Sequence, residues 1–87
     1  MGKRASLHYL KTKDGVEVDF VLCEDGMPTH LVECKHADNR PAASLVKFSV
    51  LFPDAQSIQL VRELRQEEYR RPVSILKGAQ WLAELAA

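Results

Sequence analysis

Only two cysteines, Cys23 and Cys34, occur among the 87 residues, too few for a disulfide framework. No run comes near the roughly 18 apolar residues needed to cross a bilayer, and the opening MGKRASLHYL lacks the apolar core of a signal peptide. The expectation is therefore a cytoplasmic protein with no membrane partner. Neither sign of charge dominates: Lys plus Arg and Asp plus Glu number 12 each. No overall field then draws in nucleic acid, and a polyanion has to be held by a local patch. A Gly-rich phosphate loop, internal repeats and low-complexity tracts are all missing, and no Ser–His–Asp or Cys–His triad can be argued from the spacing. What is present is an ordinary globular composition, 46% hydrophobic and 28% charged, rich enough in apolar residues to fold. Since one compact core takes on the order of 100 residues, a single domain over residues 1–87 is expected.

Residues 6–12 (SLHYLKT) read as a strand, followed by a turn at Lys13, Asp14 and Gly15. Residues 16–23 (VEVDFVLC) alternate in their first half and are β-branched or aromatic throughout, which makes them the clearest strand. A polar turn at 24–28, containing Gly26 and Pro28, leads into a third strand at 29–36 (THLVECKH). Short connections predict an antiparallel meander. Beyond it, Asp38 or Asn39 is placed to cap a helix over 41–52 that has Pro41 in its first turn. Leu45, Phe48 and Phe52 recur there at helical spacing, and Pro53 closes the helix. Residues 57–64 read as a fourth strand, parallel to the third across that helix. Residues 65–71 read as a charged loop, and Arg62, Arg65, Arg70 and Arg71 are interleaved with Glu63, Glu67 and Glu68, which favours self-compensation over a phosphate-gripping patch. A short edge strand at 73–76, with Pro72 tolerated at its start, and a helix at 78–87 carrying Trp81, Leu82 and Leu85 on one side complete the reading. The expected class is α/β, with a mixed sheet of four or five strands flanked by two helices.

On a strand, residues two apart share a face, so Glu17 projects with Asp19, and Glu33 with Lys35. A hairpin looped by 24–28 pairs Cys23 with Thr29, and counting back sets Asp19 opposite Glu33 and Glu17 opposite Lys35. Three carboxylates and one ammonium then converge. Adjacent carboxylates repel unless a cation lies between them, and a hard divalent ion such as Mg²⁺ or Mn²⁺ suits oxygen ligands. A Glu-x-Lys triplet alone is common. Here both acids interrupt otherwise apolar strands, VEVDFVL and HLVECK, where uncharged residues are preferred. A zinc site from Cys34, His30 and His36 fails on geometry, because residues four apart on a strand lie about 13 Å apart. Cys23 and Cys34 point to opposite faces of the hairpin, so no bond between them is expected.

Asp19 followed by Glu33-Cys34-Lys35 on the next strand resembles the Asp…Glu-x-Lys signature of the PD-(D/E)XK nuclease superfamily. More narrowly, LHYLKTKDGVEVDFVL followed by HLVECK looks like a C-terminal domain of unknown function found behind AAA-type ATPases in bacteria and archaea, over residues 7–64. The resemblance implies a restriction-endonuclease-like fold. It also implies Mg²⁺ (or Mn²⁺) bound by Asp19, Glu33 and the backbone carbonyl of Cys34, with Lys35 assisting attack on a phosphodiester. Asp19, Glu33 and Lys35 are thus the expected catalytic set, nucleic acid the expected substrate, and a Mg²⁺-dependent nuclease-like module the expected function. The alternative is a non-catalytic interaction or assembly domain that keeps the same fold.

The superfamily core begins with a helix, and no helical pattern precedes Ser6, so the first core helix is missing from this reading. Val18, Phe20 and Leu22 are expected to form one apolar stripe, and Val21 with Leu31 part of another. Two short helices leave one face short of cover. A homodimer, or a partner chain supplying a helix, is expected to bury the remainder.

Overall fold

The strongest local signal in the chain is also its best-defined joint. Asp25 and Gly26 both have positive φ, 52° and 80°, the backbone signature of the tight two-residue turn whose twist matches a hairpin. The turn expected at 24–28 is thereby shortened, and Met27 and Pro28 belong to the following strand. The computed structural model describes residues 5–11 and 17–86; the turn expected at 13–15 lies outside them, as does the side chain of Leu85. In chain order the elements are β1 (Ala5–Lys11), β2 (Glu17–Glu24), β3 (Met27–Lys35), α1 (Ala43–Leu51), β4 (Gln56–Val61), β5 (Glu68–Arg70), β6 (Val73–Lys77) and α2 (Gly78–Ala86).

All six strands form one mixed sheet in the order β1-β2-β3-β4-β6-β5. The pairs β1–β2, β2–β3 and β5–β6 are antiparallel, while β3–β4 and β4–β6 are parallel. The α/β class and the mixed sheet agree with expectation, but the count of four or five strands does not. The sixth strand is β5, inside the segment read as a loop. Its charged residues disguise it, and an edge strand tolerates them because its outer side faces water. With β5 in place, β6 is an interior strand and not an edge one, and Val73 and Ile75 are fully buried.

β2 carries the most consequential irregularity. Leu10 pairs with Val18 and His8 with Val21, so two steps along β1 match three along β2. One extra residue is inserted around Asp19 and Phe20, a β-bulge that reverses the side-chain alternation. Val18 therefore joins Val21 and Cys23 in the main core with Leu31, Leu45, Phe48, Val61, Val73 and Ile75. The expected stripe of Val18, Phe20 and Leu22 is broken, and Phe20 lies on the opposite face, 43% exposed.

Leu45 and Phe48 anchor α1 on that core, and burying both contributes about 3–6 kcal/mol before entropy is counted. Neither Asp38 nor Asn39 caps this helix. Its N-cap is Ala42, in extended conformation and without a side-chain cap, because the chain between β3 and α1 is held by Gln59 in the way described below. On the other face, Val32, Ile58 and Leu60 form a smaller cluster covered by Leu76 and Trp81. α2 rests on β4 and β6, and Leu82, expected in its packed face, is exposed. No described helix is long and apolar enough to cross a membrane.

Candidate functional site

The expected pairing of Cys23 with Thr29 is not made: Cys23 lies opposite Pro28, and an irregularity between Leu22 and Cys23 brings in the expected alignment only from Leu22 opposite His30 to Phe20 opposite Val32. Beyond Phe20 the bulge parts the strands, and the Asp19 side chain takes over the ladder. The Cys34 backbone N–H donates to Asp19 Oδ2 at 2.9 Å. On the other edge of β3, the Lys35 carbonyl accepts from Arg62 N at 3.0 Å, and just past the strand the His36 carbonyl accepts from Glu63 N at 2.9 Å. Along a strand the N–H and C=O of one residue point to the same edge and alternate with the next. The Cys34 carbonyl therefore faces the fork that Asp19 occupies.

Glu33 sits beside this fork on the face covered by α1. It is 9% exposed, and Ser44, in the first turn of α1, donates its hydroxyl to Glu33 Oε2 at 2.8 Å. Burial is the main reason that the Glu33 pKa is raised, and a hydrogen bond with the Asp19 carboxyl pushes it further in the same direction. Ser44 and the charge of Lys35 pull it back. Two acids are thus held side by side, an arrangement that disfavours the charged form of Glu33. The same two negative charges, after partial burial, raise the thiol pKa of Cys34.

Lys35 opens on a cleft of about 520 Å³ that it lines with Asp38, Arg40 and Ser44. The structure brings Asp19, Glu33 and Lys35 together as a group, but not Glu17. Glu17 pairs with Lys11 at 3.4 Å on the far side of the bulge, so the expected convergence of three carboxylates reduces to two. Cys23 and Cys34 are both free. In the charged segment, Arg70 pairs with Glu68 at 2.7 Å, one instance of the self-compensation expected there, while Glu67 accepts from the backbone N–H of Lys77 at 2.7 Å.

Two residues that shape the site carry little signal in the sequence. Gln59, paired with Glu33 across β3–β4, is fully buried. Its Nε2 donates to the carbonyls of Asp38 and Arg40 at 3.0 and 2.8 Å, and its Oε1 accepts from Ala42 N at 2.8 Å. It clamps the 38–42 segment and so sets where α1 starts and where Ser44 meets Glu33. Asp38 makes a local turn instead of a cap, accepting from Arg40 N at 2.9 Å and Arg40 Nε at 3.2 Å, and Arg40 lowers its pKa. A glutamine inside SIQLV is the one available clue, since a buried amide in an apolar strand needs partners.

A divalent cation would find here two carboxylates and the Cys34 carbonyl. Asp19 Oδ2 and Glu33 Oε2 are anchored by the Cys34 N–H and the Ser44 hydroxyl. Among the described residues no three His, Cys, Asp or Glu side chains cluster to hold a metal. This donor set fits Mg²⁺, which is usually held by one or two carboxylates and keeps several waters.

The family model described as Domain of unknown function (DUF4143) matches residues 1–80. No curated protein and no solved structure matches the chain.

Proposed function

The chain belongs to the DUF4143 family, and on that footing we propose that it is a Mg²⁺-dependent nuclease-like module with a restriction-endonuclease-like core, hydrolysing phosphodiester bonds in nucleic acid. The observation that carries this reading is the buried Glu33 carboxyl pressed against Asp19 at the parting of β2 and β3. Holding two acids together in a poorly solvated place costs stability unless a ligand repays it. When bound, the cation supplies positive charge to a phosphoryl oxygen and acidifies a water. Asp19 and Glu33 would hold it, both as carboxylates. Ser44 and the Cys34 N–H fix the two carboxylates in place. Lys35 has no lone pair to offer a metal, so it orients the attacking water and stabilises charge on the phosphate. Calorimetric titration tests the site: the wild type should release or absorb heat with millimolar Mn²⁺, and Asp19→Asn should not. Absence of heat from the wild type removes the metal and the mechanism with it. Lys35→Ala should keep cation affinity and lose cleavage, and a wild-type cleavage rate in that variant would take Lys35 out of the reaction.

The second reading is a non-catalytic assembly domain. Balanced charge and a groove of about 350 Å³ with wholly apolar walls on the face away from Glu33 favour it. A wild type that binds Mn²⁺ yet cleaves neither single-stranded, duplex nor branched DNA, nor RNA, would select this reading.

A further inference from the structure

We propose that the cleft at the start of α1 is a phosphate subsite, in which Arg40 holds the phosphodiester group next to the one attacked and so seats a nucleic-acid strand across the paired acids. What is attacked rests on the nuclease-like reading; what is bound rests on the cleft.

The cleft and the acids share a wall. Lys35, Arg40 and Ser44 line it together, and the Ser44 hydroxyl is the group bonded to Glu33 Oε2 at 2.8 Å. A strand whose scissile phosphate lies against Asp19 and Glu33 has room here for the neighbouring phosphate.

The walls suit an anion. Lys35 and Arg40 each bring a positive charge, and the acid among them, Asp38, already accepts from Arg40 N and Arg40 Nε. No acid stands in the first turn of α1. The carbonyls of Asp38 and Arg40, which would repel a phosphate, are instead taken by the amide of Gln59, a residue fully buried and off the cleft wall.

That amide also holds the backbone of 38–42 in place, so Arg40 projects from a fixed base. Its Nε donates to Asp38 Oδ1 at 3.2 Å, which orients the guanidinium plane and uses one of its five donors. A guanidinium so oriented matches two phosphate oxygens at once, as a lysine cannot. Elsewhere the arginines are set among acids with no lysine beside them: Arg70 pairs with Glu68 at 2.7 Å, and Arg65 shares a depression with Glu63 and Glu68. In a chain of zero formal charge, a local surplus such as Lys35 gives this cleft is what a polyanion requires.

Fluorescence anisotropy of an end-labelled single DNA strand of roughly 12 nucleotides, in Ca²⁺ and over a range of KCl, tests the subsite on the whole chain. Arg40 is exposed, so substituting it burdens the fold little, and circular dichroism should show each variant folded. Arg40→Gln should raise Kd by on the order of tenfold and reduce the slope of log Kd against log salt by about 0.7, the share of one phosphate. Arg40→Lys should keep the slope but not the affinity. Arg65→Gln removes the same charge elsewhere and should change neither. Inorganic phosphate at matched ionic strength should displace the strand only weakly. Unchanged binding in Arg40→Gln would overturn the proposal, as would equal losses in Arg40→Gln and Arg65→Gln, or a wild type that binds no strand at low salt. Full displacement by inorganic phosphate would also overturn it, by making the cleft a site for the free ion. A strand bound through Arg40 yet left uncut in Mn²⁺ would keep the subsite and end the nuclease reading; cleavage with an Arg40-independent Kd would do the reverse.

Discussion

Replacing Gln59 with leucine should be the most damaging single change among the polar residues, although Gln59 touches no substrate in the proposed reaction. Its side chain makes three hydrogen bonds of 2.8–3.0 Å to the 38–42 segment, each contributing about 0.5–1.5 kcal/mol net. Leucine fills nearly the same volume and makes none of them, so about 1.5–4.5 kcal/mol is lost. Asp38 and Arg40 are exposed, so water can reach their freed carbonyls and the loss stays within that range. With a slope of about 1 kcal/mol per molar urea for a chain this small, the unfolding midpoint should fall by about 1.5–4.5 M. Gln59→Glu should be worse at pH 7, because it turns an oxygen towards two carbonyls and sets a third acid one strand away from Glu33. That deficit should shrink as the pH falls and the new carboxyl takes up a proton. A leucine variant within about 0.5 M urea of the wild type would refute the clamp.

The pH dependence of the cation-free domain should carry the mark of Glu33. Its folded pKa is raised above the ordinary value of 4.5 by burial and then by Asp19. A carboxyl so shifted stabilises the fold fully below the unfolded pKa and loses that contribution as pH climbs through the folded one. Urea midpoints should therefore decline with rising pH over this window, Glu33→Gln should flatten the decline, and Ser44→Ala should move it to higher pH. A wild-type midpoint that rises across the same window would contradict the assignment. Asp19→Asn keeps an oxygen acceptor for the Cys34 N–H and should be as stable as the wild type without the cation. Asp19→Ala removes the acceptor as well and should cost about 0.5–1.5 kcal/mol, measurable in the same unfolding experiment.

The parts of the fold readable from sequence are those fixed by local chemistry. Asp25 and Gly26 fixed the hairpin turn, Leu45 and Phe48 the buried side of α1, and the intervening helix the parallel pairing of β3 with β4. Where reading failed, the deciding interaction is distant in sequence. β5 is a strand because β6 lies beside it, not because Glu68, Tyr69 and Arg70 prefer extended backbone. Asp38 is a conventional cap residue, yet Gln59, 21 residues further along, decides where the helix begins. At the candidate site, counting alternate residues placed Asp19 with Glu33 but also enrolled Glu17. The bulge, which no residue type between 17 and 20 announces, separates them. Positions of the candidate residues were therefore better indicated than the neighbours that hold them.

The bulge at Asp19 and Phe20 also makes chain length the quantity that this strand cannot vary. Most substitutions at Phe20, a partly exposed side chain, leave the backbone count untouched. Deleting one residue there would restore regular pairing with β1, and in doing so would rotate Val18 out of the core and withdraw Asp19 from the Cys34 amide. Inserting one would push the same residues the other way. Insertions and deletions, ordinarily absorbed at the nearest loop, would thus pass straight into both the core and the paired acids. Across homologues the spacing from Val18 to Val21 should be held fixed even where the residues between them change.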